Sequence, residues 1–510
     1  MTKQSNSWAR RIGGLVDNLV GIFSPERGYY RSAWRDGSNP ESIGSTSDGW
    51  VAVNQHGAIA HRFTRDSRRA FARDLEDSSD IMESVIVAFE RWVVGTGFTL
   101  QAKITDANGE DDNEANKLIE SLWAEWCLHR NCDIQGRQCF DEMCRMAVRR
   151  LRVDGGIFFI KCYTNGGQVP FCLQMREVDE LDTTISGLQL DNGNYMVDGI
   201  ETDQYGKHMA YHFRRYAPDG FSTLESEIMP ADRVIYLQKF KRTTDPRELT
   251  PFSPSIQRIR HAGGYIENVT LQSRLISRFI AVIKKVLPGG LGFGRGGRAA
   301  TPDPETGLDR QAIPEGSFVY VQPNEDVTAV QPPQLGSSPS DLTAINQRLI
   351  GASQGLSYEA TSRDLNRGNY SSIRGGTIED NATYAIDQAY LTKHLLHEVY
   401  TEWLISLALV AKAPFTITEL FKNKVRYMAH RFIGVGRPWI DPMKEATANA
   451  KALETGQTTL AQIYAEQGKD YREEIAQRKY EIELCKDAGI IPSSPTSSSG
   501  GGNNAAATGA

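Results

Sequence analysis

Five side chains of the kinds that bind zinc lie close together in the sequence: Cys127, His129, Cys132, Cys139 and Cys144. A structural zinc site usually draws two thiolates from a closely spaced cysteine pair. Here the spacings are C-x4-C and C-x6-C, and most of these positions fall on predicted helices with apolar neighbours. Buried thiols acting as small apolar side chains are therefore favoured, with a structural zinc site as the alternative.

Two further patterns are typical of enzymes, but each lacks its structural context. Gly292, Gly294 and Gly297 satisfy G-x-G-x-x-G, yet no helix pattern follows them and no clear strand precedes them, as a dinucleotide site requires. Paired acids such as Asp111 and Asp112 lie in polar loops, where carboxylates are usually solvated. No G-x-x-x-x-G-K-[ST] loop and no convincing nucleophile–base set occur. The sequence therefore predicts no catalytic, cofactor-binding or metal-binding residue and no cofactor.

A different kind of chemistry is offered by a polar stretch in the second half of the chain. From Thr361 to Tyr370, charged and amide side chains alternate with almost no apolar residue to bury. Such a stretch is typical of a loop, and its polar side chains are available for contacts outside the core. We single out its members as candidate contact residues: Arg363, Asp364, Leu365, Asn366, Arg367, Asn369 and Tyr370.

Two helices must hold this loop. Ser338 and Pro339 form a helix start signal, because a serine caps free backbone N–H groups and a proline fits the first turn. Gly351 and Gly355 weaken and end that helix, and a much longer helical pattern runs from Thr377 to Ala413. In that pattern one face follows heptad-like spacing: Ile378, Ala382, Ala385, Ala389, Leu396, Val399, Trp403 and Val410.

Composition bounds the class of protein. The 510 residues are 40% hydrophobic and 24% charged, which is ordinary for a folded protein. The formal net charge of −6 argues against nucleic-acid binding by a broad basic surface. Seven cysteines, odd in number and sparse, fit a reduced compartment, and no apolar run reaches the roughly 18 residues of a membrane-spanning helix.

The first half of the chain predicts an α+β domain of about 250 residues. Its predicted elements are helices over Phe63–Val94, Asn113–His129 and Phe140–Arg152, a hairpin over Ile157–Tyr163 and Phe171–Met175, a strand-turn-strand unit over Asp198–Phe213, and a strand over Val234–Leu237.

In the second half, a basic helix is predicted from Pro254 to Val286, with four candidates for contact with DNA or with another subunit: Arg274, Arg278, Lys284 and Lys285. The Gly- and Pro-rich segment Pro288–Gly336 contains one predicted strand, Ser317–Gln322. Three helices are predicted over Met443–Thr455, Thr458–Gln467 and Tyr471–Asp487, and a low-complexity tail starts at Pro492.

Several short motifs resemble, in order and spacing, the lambda-type portal proteins of tailed bacteriophages. They are Gly355-Leu356-Ser357-Tyr358-Glu359, Ser362-Arg363-Asp364 and Asn369-Tyr370-Ser371-Ser372-Ile373-Arg374, together with the W-x-x-W of Trp123 and Trp126, the C-D-x-x-G of Cys132 to Gly136, and Trp439 before Asp441-Pro442. The chain departs from the family at Lys241 to Arg247, where an Arg, Gln, Arg-Gly run is usual.

The resemblance implies a portal fold that assembles as a ring. By that likeness the chain comprises an N-terminal segment and α+β wing (1–253), a first stem helix (254–286), a small β-rich clip (287–337), a second stem helix (338–354), a tunnel loop (355–376), a long helix that returns to the wing (377–440), an α-helical crown (441–490) and a disordered tail (491–510).

The resemblance also implies a function and partners. About a dozen identical subunits would form a closed ring at one capsid vertex of the virion, a passive channel for double-stranded DNA during packaging and ejection. Each tunnel loop would touch passing phosphates without reading bases. The expected partners are the large terminase subunit, head–tail connector proteins, and the major capsid or scaffolding protein; no membrane is expected.

Two alternatives stay open. A metal-dependent enzyme acting on DNA would need clustered acids for two metal ions, and the sequence shows no persuasive cluster. An α+β structural scaffold without a role in DNA handling is the other alternative, because a polar loop is also common on ordinary protein surfaces.

Overall fold

The computed structural model describes residues 56–57, 61–62, 64–106, 108–216, 222–277, 281–285, 325–329, 339–366, 368–437 and 441–487. The chain divides into two compact units. Unit 1 comprises residues 1–74, 151–158 and 177–253, and unit 2 comprises residues 75–150, 159–176 and 254–510. The described residues form helices and small antiparallel sheets, which confirms the predicted α+β class.

The helices, numbered in chain order, are α1 (Arg65–Ser78), α2 (Asp80–Phe89), α3 (Asn113–Trp126), α4 (His129–Cys132), α5 (Phe140–Val153), α6 (Ile256–Ser277), α7 (Pro339–Gln354), α8 (Tyr358–Ser362), α9 (Tyr370–Leu391), α10 (His397–Leu409), α11 (Ile417–Lys422), α12 (Lys424–Tyr427), α13 (Pro442–Glu454), α14 (Leu460–Glu466) and α15 (Tyr471–Asp487). Two π-helical turns, Glu90–Val94 and Thr392–Leu396, follow α2 and α9.

The strands are β1 (Thr99–Ala102), β2 (Gly156–Tyr163), β3 (Phe171–Arg176), β4 (Leu188–Gln189), β5 (Tyr195–Val197), β6 (Ile200–Thr202), β7 (His208–Tyr216), β8 (Ser222–Pro230), β9 (Val234–Gln238), β10 (Ala281–Lys285), β11 (Glu325–Ala329) and β12 (His430–Ile433). The predicted hairpin, the predicted strand-turn-strand unit and the predicted strand at Val234 are all present.

Unit 1 is built on a five-stranded antiparallel meander in the order β4-β5-β6-β7-β8. Phe158 at the centre of its core packs within 5.4 Å of the ring of Tyr211, 5.1 Å of Phe213 and 4.2 Å of Tyr236. Aromatic pairs at these distances add to the free energy gained by burial. This cluster holds β2 and β9 against β7 within the unit.

A buried ion network completes unit 1. The carboxylate of Glu248 accepts hydrogen bonds from Arg69 and Arg247, each at 2.8 Å. Burial raises the pKa of Glu248, but the attraction of Arg247 and Arg69 outweighs burial and lowers that pKa to about 2. The group is therefore ionised at all ordinary pH values, and its two cations prevent an uncompensated buried charge.

Unit 2 has an aromatic core. Trp123 and Trp126 of α3 are both buried, and their ring centroids lie 5.0 Å apart. Trp123 also contacts Trp403 of α10 at 5.1 Å and Phe432 of β12 at 5.9 Å. The W-x-x-W motif therefore joins α3 to α10 and to the two-stranded sheet of β1 and β12.

One arginine in unit 2 joins three carboxylates spaced seven residues apart. The guanidinium of Arg149 on α5 donates to Glu76, Glu83 and Glu90 at 2.6 to 2.7 Å. Glu83 on α2 and Glu90 on the π turn that follows it are seven residues apart, so they lie on nearly the same face, whereas Glu76 reaches Arg149 from α1, before the break at Ser79. Arg149 therefore ties α5 to the segment from Glu76 to Glu90.

A histidine pair lies at the edge of the aromatic core. Nδ1 of His430 on β12 lies 2.6 Å from the Met428 carbonyl, and it must be the donor because a carbonyl oxygen only accepts. The Nε2 of His430 lies 2.5 Å from Nδ1 of His397 on α10. Burial is the main cause that lowers the pKa of His430 to about 4, and His397 lowers it further. Burial also lowers the pKa of His397. Both rings are therefore neutral at pH 7.

Several predicted element bounds are wrong. The predicted first-stem helix ends at Ser277, and Ala281–Lys285 is a strand that pairs with β11, because the β-branched Val282 and Ile283 suit a strand. The predicted helix over Phe63–Val94 is interrupted at Ser79, whose side chain caps α2 by accepting from the Met82 N–H.

The predicted heptad-like face of the long helix is correct only from Leu396, at the end of the π turn, to Trp403. Leu396, Val399 and Trp403 are buried, whereas Ile378 is 59% exposed and Ala382, Ala389 and Val410 are also exposed. The N-terminal half instead buries the face of Asp380, Tyr384, Asp387 and Leu391. Polar contacts, described below, decide that choice of face.

Some predictions concern residues outside the described ranges. These are the strand over Ser317–Gln322, Gly292, Gly294, Gly297, and the tail after Pro492. The three C-terminal helices are confirmed as α13, α14 and α15, with Gly456 and Gly468 at positive φ just beyond the ends of the first two. The division into wing, stem, clip and crown stays a prediction.

Arg149→Met should lower the free energy of unfolding by about 2–3 kcal/mol, because Glu83 and Glu90 would lose this charged hydrogen-bond donor and Glu76 would keep only Arg150 among the described residues. The measurement is the midpoint of urea unfolding at pH 7. The matched control, Arg478→Met on the exposed surface of α15, should stay within about 0.5 kcal/mol of the wild type. Equal loss in both variants would contradict a special role for Arg149.

The histidine pair should make unit 2 less stable in mild acid. A depressed histidine pKa means that the unfolded state takes up the proton first, so stability is lost as pH falls from about 6.5 towards 4. We expect the wild type to lose about 2 kcal/mol more over this window than His430→Gln does, after allowance for the partial exposure of the ring.

Urea unfolding between pH 7 and pH 4.5 measures this difference. The control is His129→Gln, because His129 is exposed on α4. His129→Gln should show the same slope of unfolding free energy against pH as the wild type. If His430→Gln also showed the wild-type slope, the role of the histidine pair would be refuted.

Candidate functional site

The candidate loop lies in unit 2, where α7 ends in a sharp turn. Gly355 has φ of +74°, and the N–H groups of Leu356 and Gly355 donate to the carbonyls of Gly351 and Ala352 at 2.9 and 3.2 Å. This pair of bonds is a Schellman motif, which satisfies carbonyls at the helix end and needs a residue at positive φ. The predicted helix end at Gly355 is confirmed.

A buried carboxylate on α9 then fixes the chain that leaves this turn. Asp380 accepts from the backbone N–H of Ser357 at 2.7 Å and from its hydroxyl at 2.6 Å. Nearby, the Thr383 hydroxyl donates to the Gly355 carbonyl at 2.8 Å. Burial raises the pKa of Asp380, and the bonds from Ser357 oppose that rise. Three bonds therefore connect α9 to the end of α7.

Glycines let the backbones approach closely at this junction. A Cβ at Gly376 on α9 would lie 3.0 Å from the Cβ of Ser357, which is tighter than ordinary packing. A Cβ at Gly351 on α7 would collide with the hydroxyl of Thr361 on α8. The Ser84 hydroxyl also donates to the Thr361 carbonyl at 2.9 Å, so α8 is held from α2 as well.

The loop itself begins with a left-handed residue. Arg363 has φ of +60° and ends α8. Asp364 then accepts from the Asn366 N–H at 3.0 Å and from the Tyr358 hydroxyl at 3.2 Å. The first turn of the loop is therefore shaped by side-chain hydrogen bonds that a short polar sequence can supply.

The other end of the loop is a helix cap. The Asn369 side chain accepts from the Ser372 N–H at 2.8 Å, and the Asn369 N–H donates to the Ser372 hydroxyl at 3.0 Å. This reciprocal capping box starts α9 at Tyr370. The helix therefore begins seven residues before the predicted Thr377. Within the predicted tunnel loop over 355–376, α8 and the start of α9 are helical, and the described residues 355–357, 363–366 and 368–369 are irregular.

The structure leaves the candidate contact residues accessible. Arg363, Asn366 and Asn369 are exposed, Leu365 is 61% exposed, and Tyr370 is 53% exposed. Asp364 is half-buried through its structural bonds. Arg367 lies outside the described residues. The exposed group presents a guanidinium, amides and a phenol, which can donate hydrogen bonds to a ligand.

The stem candidates divide differently. Arg274 is exposed on α6, Lys284 and Lys285 lie on β10 rather than on a helix, and Arg278 lies outside the described residues. A groove of about 420 Å³ lined by Val269 and Thr270 of α6 also reaches Asp364. The groove therefore brings α6 beside the start of the loop.

Sequence reasoning missed a cleft of about 850 Å³ between α9 and the C-terminal helices α13 and α14. Arg374, Arg431 and Arg437 line it, and Arg437 donates to the Asn381 carbonyl at 2.8 Å. Burial lowers the pKa of Arg437, which Glu466 partly offsets. No local pattern joins arginines separated by some sixty residues of sequence, so only the fold reveals the cleft.

The cysteine cluster shows the chemistry of neutral thiols. Cys132 donates to the carbonyls of Cys127 and Gln138 at 3.4 and 3.5 Å. Burial raises the pKa of Cys132 to about 12 and raises that of Cys144. Within the described ranges no group of three or more metal-binding side chains occurs. Among the helices that the structure describes, none combines the length and apolar character needed to cross a bilayer.

Comparison with solved structures gives distant matches. A chain from the neck of the empty GTA particle computed with C6 symmetry shares 12% identity, with a TM-score of 0.38 over 77% of this chain and 98% of that one. A chain from the neck of the native GTA particle computed with C12 symmetry shares 11% identity, with a TM-score of 0.37 over 64% of this chain and 82% of that one.

Comparison with known sequences is more specific. Residues 44–388 match the family model of the phage portal protein, lambda family. The chain is 25% identical over 463 residues to a probable portal protein of Halomonas phage phiHAP-1, covering 87% of this chain and 86% of that protein. It is 22% identical over 476 residues to portal protein B of Escherichia phage lambda, covering 85% and 86%. This chain therefore belongs to the lambda family of phage portal proteins, which are structural components of the virion and not enzymes.

Proposed function

We propose that this chain forms a closed ring of about twelve copies at one capsid vertex, and that the ring is a passive channel for double-stranded DNA. Family membership supports the channel, and the anchored loop over 363–369 supports a contact with DNA. The observation that carries the proposal is that these exposed donors sit between two helices that Asp380 and Ser357 lock together.

The chemistry of the loop suits a moving polyanion. Arg363 can pair with a phosphate, whereas the Asp364 carboxylate beside it repels one. Asn366 and Asn369 add neutral donors. Contacts of this mixed kind are weak and independent of base sequence, so DNA slides past them instead of being held.

The parts of the portal fold are assigned to the observed elements. We assign α6 and α7 as the two stem helices, β10 and β11 with the residues between them as the clip, residues 363–369 as the tunnel loop, and α13 to α15 as the crown. Residues up to 253 form the wing. The exposed Arg274 on α6 is a candidate for contact with DNA or with the adjacent subunit.

The remaining partners follow from the same role. A passive ring needs a motor, and this sequence has no phosphate-binding loop of its own. We propose that the large terminase subunit docks on the ring during packaging, that head–tail connector proteins replace it afterwards, and that the major capsid or scaffolding protein surrounds it. DNA leaves through the same channel during ejection.

The purified chain should elute as a discrete species of several hundred kilodaltons, because each subunit contributes 56.7 kDa to the ring. Size-exclusion chromatography with light scattering measures the mass, and negative-stain images show whether a central hole exists. A stable monomer at every concentration would refute the ring.

Arg363→Glu should reduce the DNA packaged per procapsid severalfold, because every copy in the ring would present a carboxylate where a guanidinium met phosphate. The ring mass and the unfolding temperature should stay at wild-type values, since Arg363 is exposed. Nuclease-protected DNA in a packaging reaction measures the effect.

Arg478→Glu on α15 is the matched charge reversal on another exposed arginine, and it should package normally. Arg363→Gln, which keeps the length of the side chain, should fall between the wild type and Arg363→Glu. Normal packaging by Arg363→Glu would show that the loop does not meet DNA.

A further inference from the structure

A second cleft in unit 2 carries an unusual charge pattern. It has a volume of about 630 Å³ and lies between α11, α12 and the residues after β1. Four cations and two large apolar side chains line it: Lys103, Lys422, Lys424, Arg426, Phe421 and Val425. We call this the basic cleft. Its described lining includes no carboxylate, in a chain of net charge −6.

The backbone of the basic cleft is firmly built. Thr416 and Glu419 form a capping box at the start of α11, and Asn423 links α11 to α12. Arg426 donates through Nε to the Thr105 carbonyl at 2.5 Å, which fixes its guanidinium at the cleft wall. Lys424 Nζ lies 4.8 Å from the Phe421 ring centroid. Two of the four charges, those of Arg426 and Lys424, are therefore held in position by contacts with neighbouring residues.

The nearby acids are engaged elsewhere. The Glu419 carboxylate accepts from the Thr416 N–H and hydroxyl at 2.8 and 3.0 Å, and only a smaller attraction reaches it from Arg426. The Asp106 carboxylate accepts from backbone N–H groups of its own loop. Asp111 pairs with Arg472 of α15. Among described residues, none of the four cations of the basic cleft has an ion-pair partner.

The apolar residues restrict the kind of partner. Val425 is 92% exposed, and Phe421 is 51% exposed. A phosphate backbone gains nothing from an aliphatic side chain, whereas a peptide can bury one of its own side chains against it. The volume of the cleft suits a few side chains of a peptide. Both features favour a protein segment over nucleic acid.

We propose that the basic cleft docks an acidic segment of a partner protein that carries a leucine or phenylalanine among its carboxylates. Like charges that line one cleft repel one another, and an acidic partner relieves that repulsion. The cleft in turn relieves the repulsion among the partner's own carboxylates. Most of the basic cleft, from Phe421 to Arg426, lies beyond residue 388, where the match to the family model ends, whereas Lys103 lies within the match. The proposal does not depend on the DNA channel.

The test uses the full-length chain and a fluorescent ten-residue peptide of Glu and Asp that carries one Leu and one Phe, with binding measured by anisotropy. Lys422→Glu with Lys424→Glu should weaken binding by about tenfold or more, since close charge pairs at interfaces couple strongly. The matched control is Lys451→Glu with Lys479→Glu, two exposed lysines on α13 and α15. It makes the same net change and should shift affinity less than about twofold.

Further arms separate the possible ligands. A peptide with Ser in place of Leu and Phe should bind the wild-type chain severalfold more weakly than the Leu/Phe peptide does at high salt. The Leu/Phe peptide should likewise bind the Val425→Ser variant severalfold more weakly than it binds the wild type. A short DNA duplex and vesicles of phosphatidylcholine with phosphatidylserine should bind the cleft variant and the control variant equally. Absence of peptide binding, equal binding by both double variants, or a loss confined to DNA or vesicles would each overturn the proposal. Ring mass, measured in parallel, reports on the channel separately.

Discussion

The geometry around the loop depends on the buried carboxylate of Asp380. It accepts two hydrogen bonds from Ser357, the residue that starts α8, and so replaces the water that a carboxylate otherwise requires. Because Asp380 faces inwards, Tyr384, Asp387 and Leu391 on the same side of α9 must face inwards too. One polar contact therefore selects the buried face of half the long helix and, through Ser357, the direction in which the chain enters the loop.

Charge in this protein is local. The net charge of −6 says little about Arg149, which lies among three carboxylates, or about the basic cleft, which has none. Glu248 likewise stays ionised in the interior because Arg69 and Arg247 surround it. These local groupings of charged side chains come from contacts between residues distant in sequence, so the net charge of the whole chain cannot describe them.

The parts of the fold that the sequence predicts are those set by neighbouring residues. Gly355 ends α7, the C-terminal helices stop before Gly456 and Gly468, and the hairpin of β2 and β3 forms, since turn chemistry is local. The capping box of Asn369 and Ser372 was equally local, and reading Asn-x-x-Ser as a cap would have placed the start of α9 correctly.

What the sequence could not supply depends on tertiary contacts. Ala281–Lys285 contains residues suited to a strand but continues a helical pattern, and its pairing partner β11 lies some forty residues away. The inward face of α9 depends on contacts with Ser357 and Gly355. These residues lie outside α9, so the periodicity of its own sequence cannot reveal that face. Both clefts gather cations from separate segments.

The π turn at Thr392–Leu396 sets the rotational offset between the two halves of the long helix. A π turn holds one residue more than an α turn, so it rotates everything that follows by about 100° relative to a regular helix. Because of that rotation, the first half of the helix buries the face that contains Asp380, and the second half buries Val399 and Trp403, which fill the aromatic core. Loss of a single residue here would swing Trp403 out of the interior while every hydrogen bond of the helix could still form. The number of residues between Asp380 and Trp403 therefore determines which side chains of the second half reach the interior.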